Sequence, residues 1–134
     1  MILRYLLMVV VLAVLPGCES LNIKNQADKL RISLDHYGAA LRWDRLNEVY
    51  AFHLTRDGKQ PEVDLEKVEN FSVSGFKPID PVLNADATEA VVTVEIDYYD
   101  EQYGTLRKLK ETQHWWFDAE KKLWFTDADF PAFK

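Results

Sequence analysis

The stretch EAVVTVEIDYY, residues 89–99, predicts a β-strand and therefore a sheet. It is rich in β-branched and aromatic residues, which favour extended backbone. Apolar and polar side chains alternate along it, so we expect one buried face and one solvated face. The apolar face consists of Val92, Val94, Ile96 and Tyr98.

Three further segments complete the predicted sheet, which has about four antiparallel strands in a meander. They are LRKLKETQHWWF at 106–117, LWFT at 123–126 and a strand that begins at Phe71. Pro78 and Pro81 confine this last strand to an edge or force it to bulge, because proline cannot donate to a ladder.

Charge pairs set the expected register of the two long strands. Centring their loop between residues 102 and 103 places Asp97 opposite Lys108, and Glu95 opposite Lys110. Opposite charges facing each other across two strands favour a solvated face. The register depends on this loop centre, since a slip of one residue moves every side chain to the other face.

The first half of the chain has a helical period. Apolar residues recur at spacings of three and four, which predicts an amphipathic helix. They are Ala27, Leu30, Leu34, Tyr37 and Leu41. The RWD at 42–44 offers a break, and we expect Asp44 to cap a second helix.

The second helix is expected to continue to Leu54 and to end before Gly58 and Pro61. Residues 64–69 add one more helical turn. Helices followed by an antiparallel meander define an α+β fold, with the N-terminal helices packed on the sheet.

The N-terminus predicts an export signal. A positive region at 1–4 is followed by an uninterrupted apolar run, Tyr5–Leu15, and by the small residue Gly17. The run is shorter than the roughly 20 apolar residues that a membrane-spanning helix needs. We therefore expect residues 1–17 to be a signal peptide, residues 18–26 a short polar tether and residues 27–134 a single domain.

Leu15-Pro16-Gly17-Cys18 resembles the lipobox of bacterial lipoproteins, with Pro16 as the one departure. The resemblance implies acylation of Cys18, cleavage before it, and attachment to the membrane through acyl chains. Glu19 follows the cysteine where Asp would favour the inner membrane, so the resemblance favours the outer membrane, facing the periplasm. A lone cysteine could instead form an intermolecular disulfide.

The charge balance excludes some partners. Arg4 is the only charged residue among 1–17, so residues 18–134 contain 15 basic and 22 acidic residues, a net charge of −7. This balance argues against nucleic acid and against electrostatic attachment to anionic lipid. The acidic residues between 62 and 69 lack calcium-loop spacing and indicate a solvated face, and no histidines have metal-ligand spacing.

YGAALRWDRLNEVYAFHL, residues 37–54, followed by long strands ending in TQHWWFDAEKKLWFTD, residues 112–127, is similar to proteobacterial lipoproteins with a nuclear-transport-factor-2-like fold. The resemblance implies a cone, with helices packed into the concave side of a curved sheet. This superfamily includes both enzymes and non-enzymatic binding modules, so the fold does not choose the function.

The expected register places Glu111 and Gln113 among apolar residues on the face that the helices cover. Burial of a carboxylate without partners is costly, so either both side chains bond backbone or helix groups, or they line a wet cavity. In enzymes of the superfamily the cavity holds the acid or base, which makes Glu111 the functional candidate. Tyr37 and Trp43 are candidate wall residues.

On the opposite face we expect His114 and Trp116 and, across the next turn, Trp124 with Thr126. Two exposed tryptophans would form an apolar patch typical of a partner surface or a homodimer. The alternative is that a strand end or the C-terminal DFPAFK, residues 129–134, folds over them.

These patterns favour a lipid-anchored envelope lipoprotein. Its domain is expected to be a non-catalytic module that binds an envelope protein or itself. A small-molecule binder that uses the cone cavity is the alternative, and an acid–base enzyme is third. No cofactor or metal is expected.

Overall fold

The computed structural model describes the backbone of residues 17–134 and the side chains from Ser20 onward. The predicted signal peptide therefore lies outside the described residues except for Gly17, and so does the side chain of Cys18. Within residues 17–134, no helix is both long and apolar enough to cross a membrane.

Three helices precede the sheet: α1 at Gly17–Arg42, α2 at Leu46–Phe52 and α3 at Leu65–Val68. Helix α1 begins ten residues before the predicted start at Ala27. No glycine or proline interrupts residues 18–26, so the helix extends from its packed part without a new nucleation cost. Helix α2 is two residues shorter than predicted.

The break between α1 and α2 corrects one prediction. Asp44 is not the N-cap of α2; it adopts a φ of 55° within the turn, a left-handed conformation that Asp tolerates better than most residues. Arg45 occupies the N-cap position and makes no side-chain cap bond. The predicted turn at 64–69 is confirmed as α3, where Asp64 Oδ1 accepts from the backbone N–H of Glu66 at 3.1 Å.

The four strands are β1 at Phe71–Leu83, β2 at Glu89–Asp100, β3 at Leu106–Asp118 and β4 at Leu123–Thr126. They form one curved antiparallel sheet in the order β1-β2-β3-β4, which confirms the α+β fold. Strand β1 lies at an edge, as its prolines predicted. Its register shifts twice, and the shift between Ile79 and Val82 contains Pro81, whereas the shift between Val73 and Gly75 contains no proline.

The register of β2 and β3 is also confirmed: Asp97 pairs with Lys108, and Glu95 with Lys110. Lys108 Nζ lies 3.6 Å from Glu95 and 3.7 Å from Asp97, on the solvated face. The other face is covered by α1. Its apolar side chains, together with those of β2 and β3, form the core.

Gly38 allows α1 to approach the sheet closely. A Cβ atom at this position would lie 2.4 Å from Cδ1 of Phe76 on β1, so only glycine leaves room for the ring. The Phe76 ring in turn packs on Tyr37, with ring centroids 5.4 Å apart.

The C-terminal segment, residues 127–134, has no helix or strand yet is firmly packed. Phe130 is buried and its ring lies 5.3 Å from the ring of His53. Phe133 packs on Phe71 and Tyr98 at the end of the sheet. The segment therefore closes one end of the core.

Candidate functional site

Gln113 and Tyr37 meet at the centre of the core, where both are completely buried. Trp115 Nε1 donates to Gln113 Oε1 at 3.0 Å. An indole N–H can only donate, so this contact fixes the orientation of the Gln113 amide. Gln113 Nε2 then donates to Tyr37 Oη at 3.4 Å.

His53 continues this chain of hydrogen bonds. Its Nδ1 lies 2.8 Å from the carbonyl oxygen of Ala128, which can only accept, so Nδ1 carries the proton. Burial lowers the pKa of His53 and keeps the ring neutral, although the bond to Ala128 and the charge of Asp129 oppose this shift. Nε2 is therefore the acceptor for the hydroxyl of Tyr37 at 2.8 Å.

Glu111 is the half-buried end of the network. Its Oε1 accepts from Gln113 Nε2 at 2.9 Å. Burial raises the pKa of Glu111, and the nearby charge of Asp129 raises it further, while the Gln113 bond opposes the shift. Burial and the charge of Glu111 also raise the pKa of Tyr37, so the phenol stays protonated.

The structure thus brings together three of the four residues predicted for a pocket. Gln113 donates to both Tyr37 and Glu111. Trp43, in contrast, is 74% exposed beyond the end of α1 and is not a wall residue. The described residues contain no buried side-chain polar atom without a hydrogen-bond partner. The network therefore connects α1, the sheet and the C-terminal segment.

The sequence patterns assign His53 no role, so its place at the centre of this network was not predicted. The residue follows the end of α2, and it pairs with Thr126 in a single parallel β-bridge. Nothing in the local pattern points to these contacts, because Thr126 and Ala128 lie more than 70 residues away in the chain.

The predicted tryptophan surface is wrong. Trp124 pairs with Phe117 and so lies on the face of the sheet opposite to Trp116, where it is completely buried under α1. Its Nε1 donates to the carbonyl oxygen of Gln26 at 2.8 Å. Phe125 lies opposite Trp116 instead, and Trp116 itself is only 6% exposed.

Both rings are covered, as the alternative expected, and contacts on Trp116 come from the loop after α2. Trp116 Nε1 donates to the carbonyl oxygen of Leu54 at 2.7 Å. The guanidinium of Arg56 lies 5.4 Å from the centre of the ring, within the range of a cation–π contact.

His114 belongs to a row of charged groups beside Trp116. Its Nδ1 lies 2.8 Å from Asp127 and its Nε2 lies 3.5 Å from Glu89, which also binds Arg56 at 2.9 Å. This row links β2, β3, the end of β4 and the loop after α2. Among residues 17–134, no group of three or more His, Cys, Asp or Glu side chains is placed to hold a metal ion.

A cleft of about 330 Å³ lies elsewhere, between the residues around α3 and the C-terminal segment. Its apolar walls include Val68, Phe71, Phe130 and Phe133. Its charged side chains are Glu62, Asp64, Asp129 and Lys67. We call it the C-terminal cleft; none of the predicted pocket residues lines it.

The acidic residues between 62 and 69 predict a solvated face, and Glu62 and Asp64 are exposed, as is Asp129. The pattern did not predict a cleft. The cleft forms only because Asp129–Phe133 folds back beside them, a contact without a local pattern.

Comparison with protein-family models, with curated proteins and with solved structures finds no match for this chain.

Proposed function

We propose that this chain is a lipid-anchored envelope lipoprotein whose domain is a non-catalytic binding module. The observation that carries the anchor is Leu15-Pro16-Gly17-Cys18 at the end of an apolar run. Acylation of Cys18 by several chains would give a stable attachment, which a single chain does not provide.

The position of Cys18 relative to the domain supports this proposal. Ser20–Asn25 are all exposed on α1. Gln26 Nε2 donates to the carbonyl oxygen of Ala87, in the turn before β2, at 2.8 Å. Gln26 lies eight positions after Cys18 in the helix, about 12 Å at 1.5 Å per residue. An acylated Cys18 could therefore enter the bilayer without burying the domain.

The interior supports binding over catalysis. The polar atoms of Gln113, Tyr37 and His53 are all engaged, with one another and with Trp115, Ala128 and Glu111. A protein partner or self-association stays a proposal that needs a surface other than Trp116 and Trp124. The C-terminal cleft favours the small-molecule alternative, since its volume is within the usual range of about 300–1,000 Å³ for ligand sites.

Intact-mass measurement of the full chain, expressed in a Gram-negative bacterium, tests the anchor. We expect cleavage before Cys18 with the added mass of a diacylglyceryl group and an amide-linked acyl chain. Cys18→Ala should abolish both, and Glu19→Asp should shift the protein from the outer to the inner membrane fraction. An uncleaved, unacylated chain in the membrane fraction would disprove the lipoprotein assignment.

Native mass spectrometry of the acylated protein, released from non-ionic micelles, tests the binding module. A reproducible small added mass supports the small-molecule alternative, and a dimer or a retained envelope protein supports the partner form. A bare monomer from every preparation would contradict the binding function and leave the anchor intact.

A further inference from the structure

We propose that the C-terminal cleft binds an organic cation, an ammonium group attached to an apolar body. This inference rests on the binding part of the proposed function and is independent of the lipid anchor. The apolar floor of the cleft would hold the body of the ligand, and its acidic rim would hold the ammonium group.

The floor of the cleft selects the apolar body. Val68 and Phe130 are 9% and 7% exposed, and Phe71 and Phe133 stack on each other with ring centroids 5.9 Å apart. A ligand on this floor removes apolar surface from water, which is the main source of affinity in such sites. The phenyl rings also attract a cation at their faces.

The rim selects the charge. Glu62, Asp64 and Asp129 line the cleft, and within residues 17–134 none of the three has a basic side chain within 4.0 Å. Lys67 is the one basic residue of the lining, which leaves a charge of −2 on the wall.

The field of Asp129 extends from the rim into the interior. Burial is the main cause of the raised pKa of Glu111 and of the lowered pKa of His53; the charge of Asp129 adds to the first shift and opposes the second, so it favours positive charge near this end of the core. An anionic ligand would be repelled by the same field. A neutral ligand would use only the floor.

The walls are preformed. Tyr50 Oη donates to the carbonyl oxygen of Pro61 at 3.0 Å, and the side chain of Asp64 caps α3. On the other side, the backbone N–H of Lys134 donates to Tyr98 Oη at 3.3 Å, which holds the end of the segment beside Phe133. A ligand therefore does not have to order the cleft, which lowers the cost of binding.

Calorimetry with a matched pair of probes tests the charge preference. The acylated chain in non-ionic micelles is titrated with 2-naphthylmethylamine, a cation at pH 7, and with 2-naphthalenemethanol, its neutral counterpart. We expect the amine to bind about tenfold more tightly than the alcohol, because three carboxylates each attract the cation through a partly screened contact. High salt should reduce this ratio of affinities. Equal affinities would overturn the proposal.

Substitution of the rim tests the location. Glu62→Gln/Asp64→Asn/Asp129→Asn removes the three carboxylates but keeps their size, and asparagine still caps α3. We expect the triple variant to lose the preference for the amine. Glu66→Gln/Glu69→Gln/Glu120→Gln removes the same charge outside the cleft lining and should leave that preference unchanged.

The two proposals fail in different ways. If the amine binds equally to wild type and the rim variant, the cation site lies elsewhere and the C-terminal cleft is not it. If neither probe binds but native spectra show a small ligand or a partner, the binding function holds and the cation inference fails. Probe binding confined to the cleft supports the inference whether or not Cys18 is acylated.

Discussion

At the scale of single residues, His53, which follows α2, connects α1 and the C-terminal segment through its two ring nitrogens. It accepts from Tyr37 on α1, donates to Ala128 of the C-terminal segment and packs against Phe130. This arrangement requires a neutral ring, because a protonated Nε2 could not accept the hydroxyl hydrogen.

Stability should therefore depend on His53 in mild acid. Burial lowers the pKa of His53 in the folded chain, whereas the unfolded value stays near 6.5. The unfolded chain then binds more protons below pH 6.5. The stability contributed by neutral His53 is present above that pH and is lost as the pH falls towards the folded pKa, by about 1.4 kcal/mol per pH unit.

Urea unfolding at pH 7.0 and 5.5 measures this effect. Glu111 would oppose this effect, because its pKa is raised and its ionisation therefore lowers the stability of the fold as the pH rises. The comparison is therefore made in a Glu111→Gln background, with and without the substitution at His53. Addition of His53→Gln should abolish the loss on acidification, whereas His36→Gln, at an exposed position, should not. An unchanged slope with His53→Gln would show that another group titrates.

Gln113→Leu tests the other end of the network. The change removes the acceptor of the buried Trp115 indole N–H and the donor to Glu111. We expect a loss of about 1–3 kcal/mol in the free energy of unfolding, the usual cost of an unsatisfied buried group. Thr112→Leu, at the exposed neighbouring position, should change stability by less than about 0.5 kcal/mol.

Sequence patterns predicted some of these residues and not others. The burial of Gln113 beside Glu111 followed from the alternation of β3 and its charge-paired register with β2. The face on which Trp124 lies was not predicted, because it depends on the length of the turn between β3 and β4. Four residues separate Asp118 from Leu123, so each even-numbered residue of β3 pairs with an odd-numbered residue of β4. Trp116 therefore faces Phe125, and Trp124 turns inward.

At the scale of elements, the contact between α1 and β1 depends on one missing methyl group. Alanine normally stabilises a helix by about 1 kcal/mol relative to glycine. At Gly38 its Cβ would overlap the ring of Phe76, so we expect Gly38→Ala to destabilise the fold by about 1–3 kcal/mol.

Urea unfolding of a double-mutant cycle checks this contact. Phe76→Leu should be less harmful in the Gly38→Ala background than alone, because the smaller side chain relieves the overlap. Asn25→Ala, on the exposed part of α1, should be neutral or slightly stabilising. If Gly38→Ala raises the free energy of unfolding, the helix does not approach β1 as closely as described.

The elements were predicted better than their contacts. Strands β2 and β4 and the break after α1 followed from local period and from residues that interrupt it. The loop over Trp116 and the return of the C-terminal segment did not, because these contacts join residues distant in sequence. Proline placed β1 at an edge, but no residue indicated that α1 extends through 18–26.

At the scale of the whole molecule, the C-terminal segment belongs to the core. Phe130 is 7% exposed and is part of the main apolar cluster. We expect Phe130→Ala to lower the unfolding free energy by about 3 kcal/mol and to shift the unfolding of the entire domain.

Far-UV circular dichroism and tryptophan fluorescence should report this shift together, since a two-state domain gives coincident transitions. Ala132→Ser, at an exposed position of the same segment, should leave both curves within about 0.5 kcal/mol of wild type. Separate transitions for the two probes would mean that the segment unfolds by itself.

Because α1 begins at Gly17, the segment between Cys18 and the domain is helical and not a flexible tether. A flexible linker would let the domain tumble about its point of attachment, whereas a continuous helix transmits rotation from one end to the other. Gln26 fixes α1 to the turn before β2, and Trp124 fixes it to β4. If Cys18 is acylated as proposed, the anchor and the domain turn as one body, and the same side of the domain always faces the bilayer.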